Sequence, residues 1–149
     1  MKKQSLQDDL KVSMLARDEL KTSVLRMVLS AINYYEINKG GAGYEANEED
    51  VMSTIQKEAK QHNDSVEQFK NAGRQDLVDK ETKELEILKQ YLPEQMNEDE
   101  IKKLVEEAIY QTGAKTIADM GKIMGALMSK IKGKADGSLV GKIVKESLI

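Results

Sequence analysis

NEEDVMSTIQKEAKQHNDSVEQF, residues Asn47 to Phe69, reads as one amphipathic helix and decides the fold class. Asn47 offers a capping side chain, and Glu48, Glu49 and Asp50 place negative charge where the helix dipole favours it. Val51, Ile55, Ala59, Val66 and Phe69 recur at helical spacing, and His62 falls on the same face, where a hydrophobe would be expected. Gly73 makes a turn, and a second helical pattern runs from about Gln75 to Gln90 through Leu77, Leu85 and Leu88, with Glu81 in its apolar row. Two helices joined this way form an antiparallel hairpin. His62 and Glu81 then stand at nearly the same distance from the turn, and a buried carboxylate needs a donor. A tuned acid–base pair in a cleft is one reading of these two residues. A direct or water-bridged contact that fixes the hairpin register is the one expected here. Arg74 and Asp76 flank the turn and read as its fastening.

Outward from the hairpin the punctuation stays helical. Ser5 opens a first helix to about Arg17 with Leu6, Leu10, Met14 and Leu15 on one face. Asp18 caps a second, carrying Val24, Met27, Val28, Ala31, Ile32 and Tyr35, which Gly40-Gly41-Ala42-Gly43 ends in a mobile loop. Pro93, the sole proline, breaks the chain after the fourth helix and marks the domain boundary. Asn97 caps a fifth helix that Gly113 ends. A sixth spans roughly Ile117–Ile131, burying Met120, Ile123, Met124, Leu127 and Met128, and a seventh starts at an Asp136 cap and runs to Ile149. The expected fold is all-α: an N-terminal helical-hairpin domain of about four helices over residues 1–93, and a small three-helix domain over 94–149.

Composition agrees and removes several chemistries. Charged residues make up 33% and aromatics only 4%, a balance that favours helices over sandwiches and barrels. With no cysteine there is no disulfide, thiolate metal site or cysteine nucleophile, and a single histidine argues against an all-protein zinc site. No metal or cofactor is expected. The first residues resemble no signal region and no apolar run is long enough to span a bilayer, so the expectation is a soluble cytoplasmic protein without a membrane partner.

Charge is unevenly divided. From residue 113 onward seven lysines face three acids, a net of +4, whereas residues 1–112 carry 16 basic and 23 acidic groups, a net of −7. A basic end on an acidic protein is a candidate polyanion-binding face. Lys122, Lys130, Lys132, Lys134 and Lys142 point away from the apolar stripes, while Gly133 permits a left-handed turn and Gly137 leaves amides open at a helix start. This is no Walker A loop, since the strand and the Gly-Lys-Ser/Thr ending are absent. Lysines without interleaved aromatics suit phosphate contact better than base stacking. The plainer alternative is a helix–turn–helix corner with solvated lysines. Gly121 and Gly125, four apart, would allow a close helix approach, and the methionines of the sixth helix could line a groove for a partner helix.

Ala118-Asp119-Met120-Gly121-Lys122-Ile123-Met124-Gly125 followed by Lys132-Gly133-Lys134-Ala135-Asp136-Gly137 resembles the YqeY-like family. So do Ala72-Gly73-Arg74-Gln75-Asp76-Leu77, Glu81 with Glu84-Leu85, and Tyr91-Leu92-Pro93-Glu94-Gln95, so that the resemblance spans essentially the whole chain. Ser129 stands where that pattern commonly has proline, and His62 where it frequently has arginine. The resemblance implies a two-domain helical protein whose C-terminal domain is similar to the tail of the GatB subunit of the tRNA-dependent amidotransferase. In that enzyme the tail helps hold tRNA while the chemistry sits in other domains. The resulting expectation is a non-catalytic tRNA- or RNA-binding accessory protein with a nucleic-acid site at Lys122, Lys130, Lys132, Gly133, Lys134, Gly137 and Lys142, and with a possible protein partner. The alternatives are a component of a carbon–nitrogen ligase pathway with glutamine as amido donor, and a protein-interaction module.

Overall fold

The computed structural model describes residues Met1 to Leu148, so the last residue of the expected seventh helix, Ile149, lies outside the described residues. Among them the fold is entirely helical, with seven α-helices and no strand. In chain order these are α1 (Lys3–Leu15), α2 (Glu19–Gly40), α3 (Glu48–Asn71), α4 (Gln75–Lys89), α5 (Glu98–Thr112), α6 (Met120–Ile131) and α7 (Gly137–Leu148). Single 3₁₀ turns precede α3 at Gly41–Gly43 and α6 at Ile117–Asp119. The chain divides into two compact units, Met1–Leu92 and Pro93–Ile149. No helix among the described residues is long and apolar enough to cross a membrane.

The first unit packs α1–α4 around Leu6, Val24, Leu25, Val28, Ile32, Val51, Ile55 and Leu88. Its sharpest corner is the α3–α4 turn. Arg74 N–H reaches back to Phe69 O and Gly73 N–H to Lys70 O, the paired closure of a helix whose next residue is left-handed, and Gly73 has φ +69°. The exposed Arg74 guanidinium grips Asp76 through two bonds of 3.2 and 3.1 Å across the same turn. Asp18 caps α2 through Lys21 N–H, and Asn47 and Asp50 exchange side-chain and backbone bonds as a capping box at the start of α3.

Several local expectations change. α1 starts at Lys3 after Lys2, not at a Ser5 cap, and Leu15 is 86% exposed with Met14 half exposed. The cause is the turn: Arg17 takes φ +56°, Asp18 N–H closes on Ser13 O, and the end of α1 meets α2 through a polar contact. Ser13, buried, shares a 2.9 Å hydrogen bond with Thr22 and donates to Leu10 O. The glycine loop after α2 carries a short 3₁₀ turn, closed by Tyr44 N–H donating to Gly41 O. Tyr44 folds back so closely that a Cβ on Gly40 would sit 2.6 Å from the Tyr44 Cβ.

In the second unit Ile101, Val105, Ala108, Ile123, Leu127, Ile131, Val140, Ile143 and Val144 form the core. The expected sixth helix is interrupted because the Asp119 carboxylate accepts the N–H groups of Lys115 and Thr116 and bends its start. Met128 is 57% exposed, off the core stripe. Nothing lies within 4 Å of the Cβ positions of Gly121 and Gly125, so these glycines serve no close helix contact among the described residues, whereas a Cβ on Gly141 would meet the Met120 methyl at 3.4 Å.

Gly73→Ala should cost about 1–2 kcal/mol, because a left-handed backbone brings Cβ against the following carbonyl. Urea unfolding followed by circular dichroism should show a lower midpoint with an unchanged slope.

Candidate functional site

The basic surface is built by α6, α7 and the turn between them. α6 ends at Ile131 with Lys132 as its C-cap, Gly133 follows with φ +74°, and Lys134 and Ala135 N–H both close on Ile131 O. Two contacts from the preceding strap hold this turn: Met96 N–H donates to Lys134 O at 2.8 Å and Gln95 Nε2 to Gly133 O at 2.9 Å. Ala135 is buried, which forces Lys132 and Lys134 on either side of Gly133 outward. Lys122, Lys130, Lys142 and Lys145 are exposed as well. Lys130, Lys132 and Lys134 therefore gather around one turn, whereas Lys122 lies eight residues earlier on α6, about 12 Å away along the axis. The amides at the start of α7 are less open than the sequence suggests. Asp136 Oδ1 accepts Ser138 N–H at 3.3 Å, placing a carboxylate where a phosphate would compete for it; Gly137 is exposed beside it.

A second constellation lies on the α3–α4 hairpin. His62 is buried, and its Nε2 lies 2.9 Å from Glu84 Oε2 and 3.6 Å from Glu81 Oε2. The short contact is thus to Glu84, with the expected partner Glu81 one ion-pair distance away. One helical turn separates the two glutamates, so both face His62, and the i, i+3 spacing was the signal in the sequence. His62 Nδ1 is 2.9 Å from the Glu58 carbonyl, which can only accept, so Nδ1 carries hydrogen. The three side chains offer donor atoms within 4.8 Å of one another, a metal-ligand set that a count of histidines and cysteines does not suggest.

A third group, around Asp50 and Glu36, was not singled out in the sequence. Asp50 Oδ1 accepts from Tyr35 Oη at 2.7 Å and Lys39 Nζ at 2.9 Å, while Oδ2 accepts from Tyr44 Oη at 2.6 Å and Asn47 N–H at 3.1 Å. The Lys39 ammonium also lies 5.3 and 5.0 Å from the centroids of the Tyr35 and Tyr44 rings. Bonds from Tyr44, then Lys39 and Tyr35, hold the Asp50 carboxyl well below the usual range, and the Tyr44, Asp50 and Tyr35 contacts raise Lys39. Glu36, also buried, accepts Ala46 N–H at 2.8 Å and Lys3 Nζ at 2.7 Å, which lower its pKa in that order. It follows Ile32 by four residues, the same polar-on-apolar signal that marks His62.

The chain matches the profile of the family described as Yqey-like protein over residues 3–148. It belongs to the YqeY-like family. Among its relatives, the protein named altered inheritance of mitochondria protein 41, mitochondrial, of Pyrenophora tritici-repentis is 34% identical over 147 residues, covering 95% of this chain and 77% of that one. The protein of the same name from Saccharomyces cerevisiae is 34% identical over 128 residues, covering 82% and 68%. That of Lachancea thermotolerans is 38% identical over 88 residues, covering 59% and 46%. These relatives are named as mitochondrial proteins, which overturns the expectation of a cytoplasmic location. Composition and the look of the first residues do not carry an address, so that expectation had no physical basis in the fold.

Asp50 and Glu36 titrate lower in the folded chain than in the unfolded one, so the unfolded state binds more protons as the medium is acidified. The stability they contribute should be complete above the ordinary carboxylate range, near pH 4, and be lost as pH falls below it. Urea midpoints between about pH 6 and pH 2.5 should decline accordingly, and Asp50→Asn should start lower and decline less steeply.

Proposed function

We propose that this member of the YqeY-like family is an RNA-binding accessory protein whose C-terminal unit grips the phosphate backbone. Lys130, Lys132 and Lys134 would form the centre of the contact, with Lys122 and Lys142 at its flanks. The supporting observation is the segregation of charge: residues 113 onward carry net +4 on an otherwise acidic chain, and the lysines around the α6–α7 turn stand exposed. Gly133 takes part by giving the turn its left-handed step, and Gly137 by leaving the start of α7 accessible beside Asp136. Exposed lysines act as point charges with little base discrimination, so binding should be modest and strongly salt-dependent. The resemblance of this unit to the tail of a tRNA-dependent amidotransferase makes tRNA the first RNA to try. This reading assigns binding to the chain and no chemistry of its own.

Unfractionated tRNA titrated against the purified protein over a salt series should show affinity falling linearly with log salt. Replacing Lys134 with alanine should reduce the slope by about 0.7–0.9, and Lys132→Glu with Lys134→Glu should weaken binding at least tenfold at low salt, roughly the loss of two phosphate contacts. Unchanged affinity in the double variant would refute this surface.

A further inference from the structure

We propose that His62, Glu81 and Glu84 form a binding site for one divalent transition-type cation, zinc being its chemical prototype. The proposal is independent of RNA binding and rests on the α3–α4 hairpin alone.

The argument starts from the hydrogens. With Nδ1–H donating to the Glu58 carbonyl, His62 Nε2 turns its other edge toward two carboxylates at 2.9 and 3.6 Å. A ring nitrogen and carboxylate oxygens can share that space only with a positively charged centre between them, either a hydrogen or a metal ion. A hydrogen serves one oxygen, Glu84 Oε2, and leaves Glu81 beyond hydrogen-bond distance. A divalent ion serves all three donors. It also balances the charge, since a neutral imidazole and two carboxylates sum to −2, which one proton only halves.

Geometry supports the exchange. Tetrahedral zinc with bonds of about 2.0–2.1 Å sets its donors roughly 3.3 Å apart. The two separations, 2.9 and 3.6 Å, bracket that value, so Glu84 needs to retreat and Glu81 to advance by a few tenths of an ångström. The Nδ1–H···O=C bond to Glu58 is the kind of outer contact that orients a metal-bound histidine through its other nitrogen. A fourth position could be filled by water, because the Glu81 side chain is 21% exposed while His62 and Glu84 are nearly enclosed. An imidazole among the donors favours zinc-like ions over magnesium or calcium.

His62 is the only histidine, so its ring protons report on the site without ambiguity in a proton NMR titration. Zinc added to the untagged full chain should move those resonances and saturate at one equivalent. Glu81→Gln and Glu84→Gln keep the shape of the site and should each raise the half-saturating zinc concentration at least about tenfold. Circular dichroism confirms the fold of each variant, and Glu81→Gln, at the solvent edge, carries the test if Glu84→Gln does not fold. Ring resonances that zinc leaves unmoved, or variants that saturate like the parent, would overturn the proposal.

Discussion

One buried carboxylate holds the first unit in its shape. Asp50 sits at the start of α3 and collects hydrogen bonds from Tyr35 and Lys39 of α2, from Tyr44 of the connecting loop, and from the amide of Asn47. A charge in that position is tolerable only because every direction around it is answered by a donor. Remove the set and the glycine-rich connection has little else to give it a conformation. Glu36 extends the same principle one turn earlier on α2, binding Lys3 of α1 and the amide of Ala46. Between them these two acids connect α1, α2, the loop and α3, and Tyr91 closes the unit at its other end by donating to Asp9.

The second unit is organised differently. Its polar contacts are mainly local caps, and its stability rests on an apolar seam of Ile, Leu and Val from α5, α6 and α7. That arrangement frees its outer surface to carry lysines at little structural cost. The α6–α7 turn is where sequence and packing meet: Ala135 goes inward, Gly133 reverses the chain, and Lys132 and Lys134 on either side of Gly133 stand outward. Asp136 tempers the site, since it already accepts a bond from the first turn of α7. A polyanion would therefore meet side-chain charge more than helix-terminal amides.

How much of the sites was legible depends on the range of the interaction. His62 was conspicuous because it interrupts an apolar row, and turn symmetry correctly brought it level with the opposite helix. Periodicity could not say whether Glu81 or Glu84 would come closest, since both lie on that face and the choice turns on side-chain packing. Asp50 looked like a first-turn acid, which it is; its tyrosine and lysine partners arrive from residues up to 15 positions away through a loop whose path no local rule prescribes. Met14, Leu15 and Met128 were assigned to buried stripes by spacing but stand exposed, because the neighbouring helices cover only part of each apolar face.

Local patterns along the chain were enough for the helical class, the caps at Asp18, Asn47 and Asn97, the glycine stops, the family, and the charge division that makes the C-terminal unit basic. These depend on near neighbours along the chain, where helix geometry and dipole preferences act over one or two turns. The packed fold was needed to settle which carboxylate meets His62 and how Asp50 is satisfied. Those outcomes are set where helices remote in sequence pack together, and packing selects among faces that local periodicity leaves equivalent.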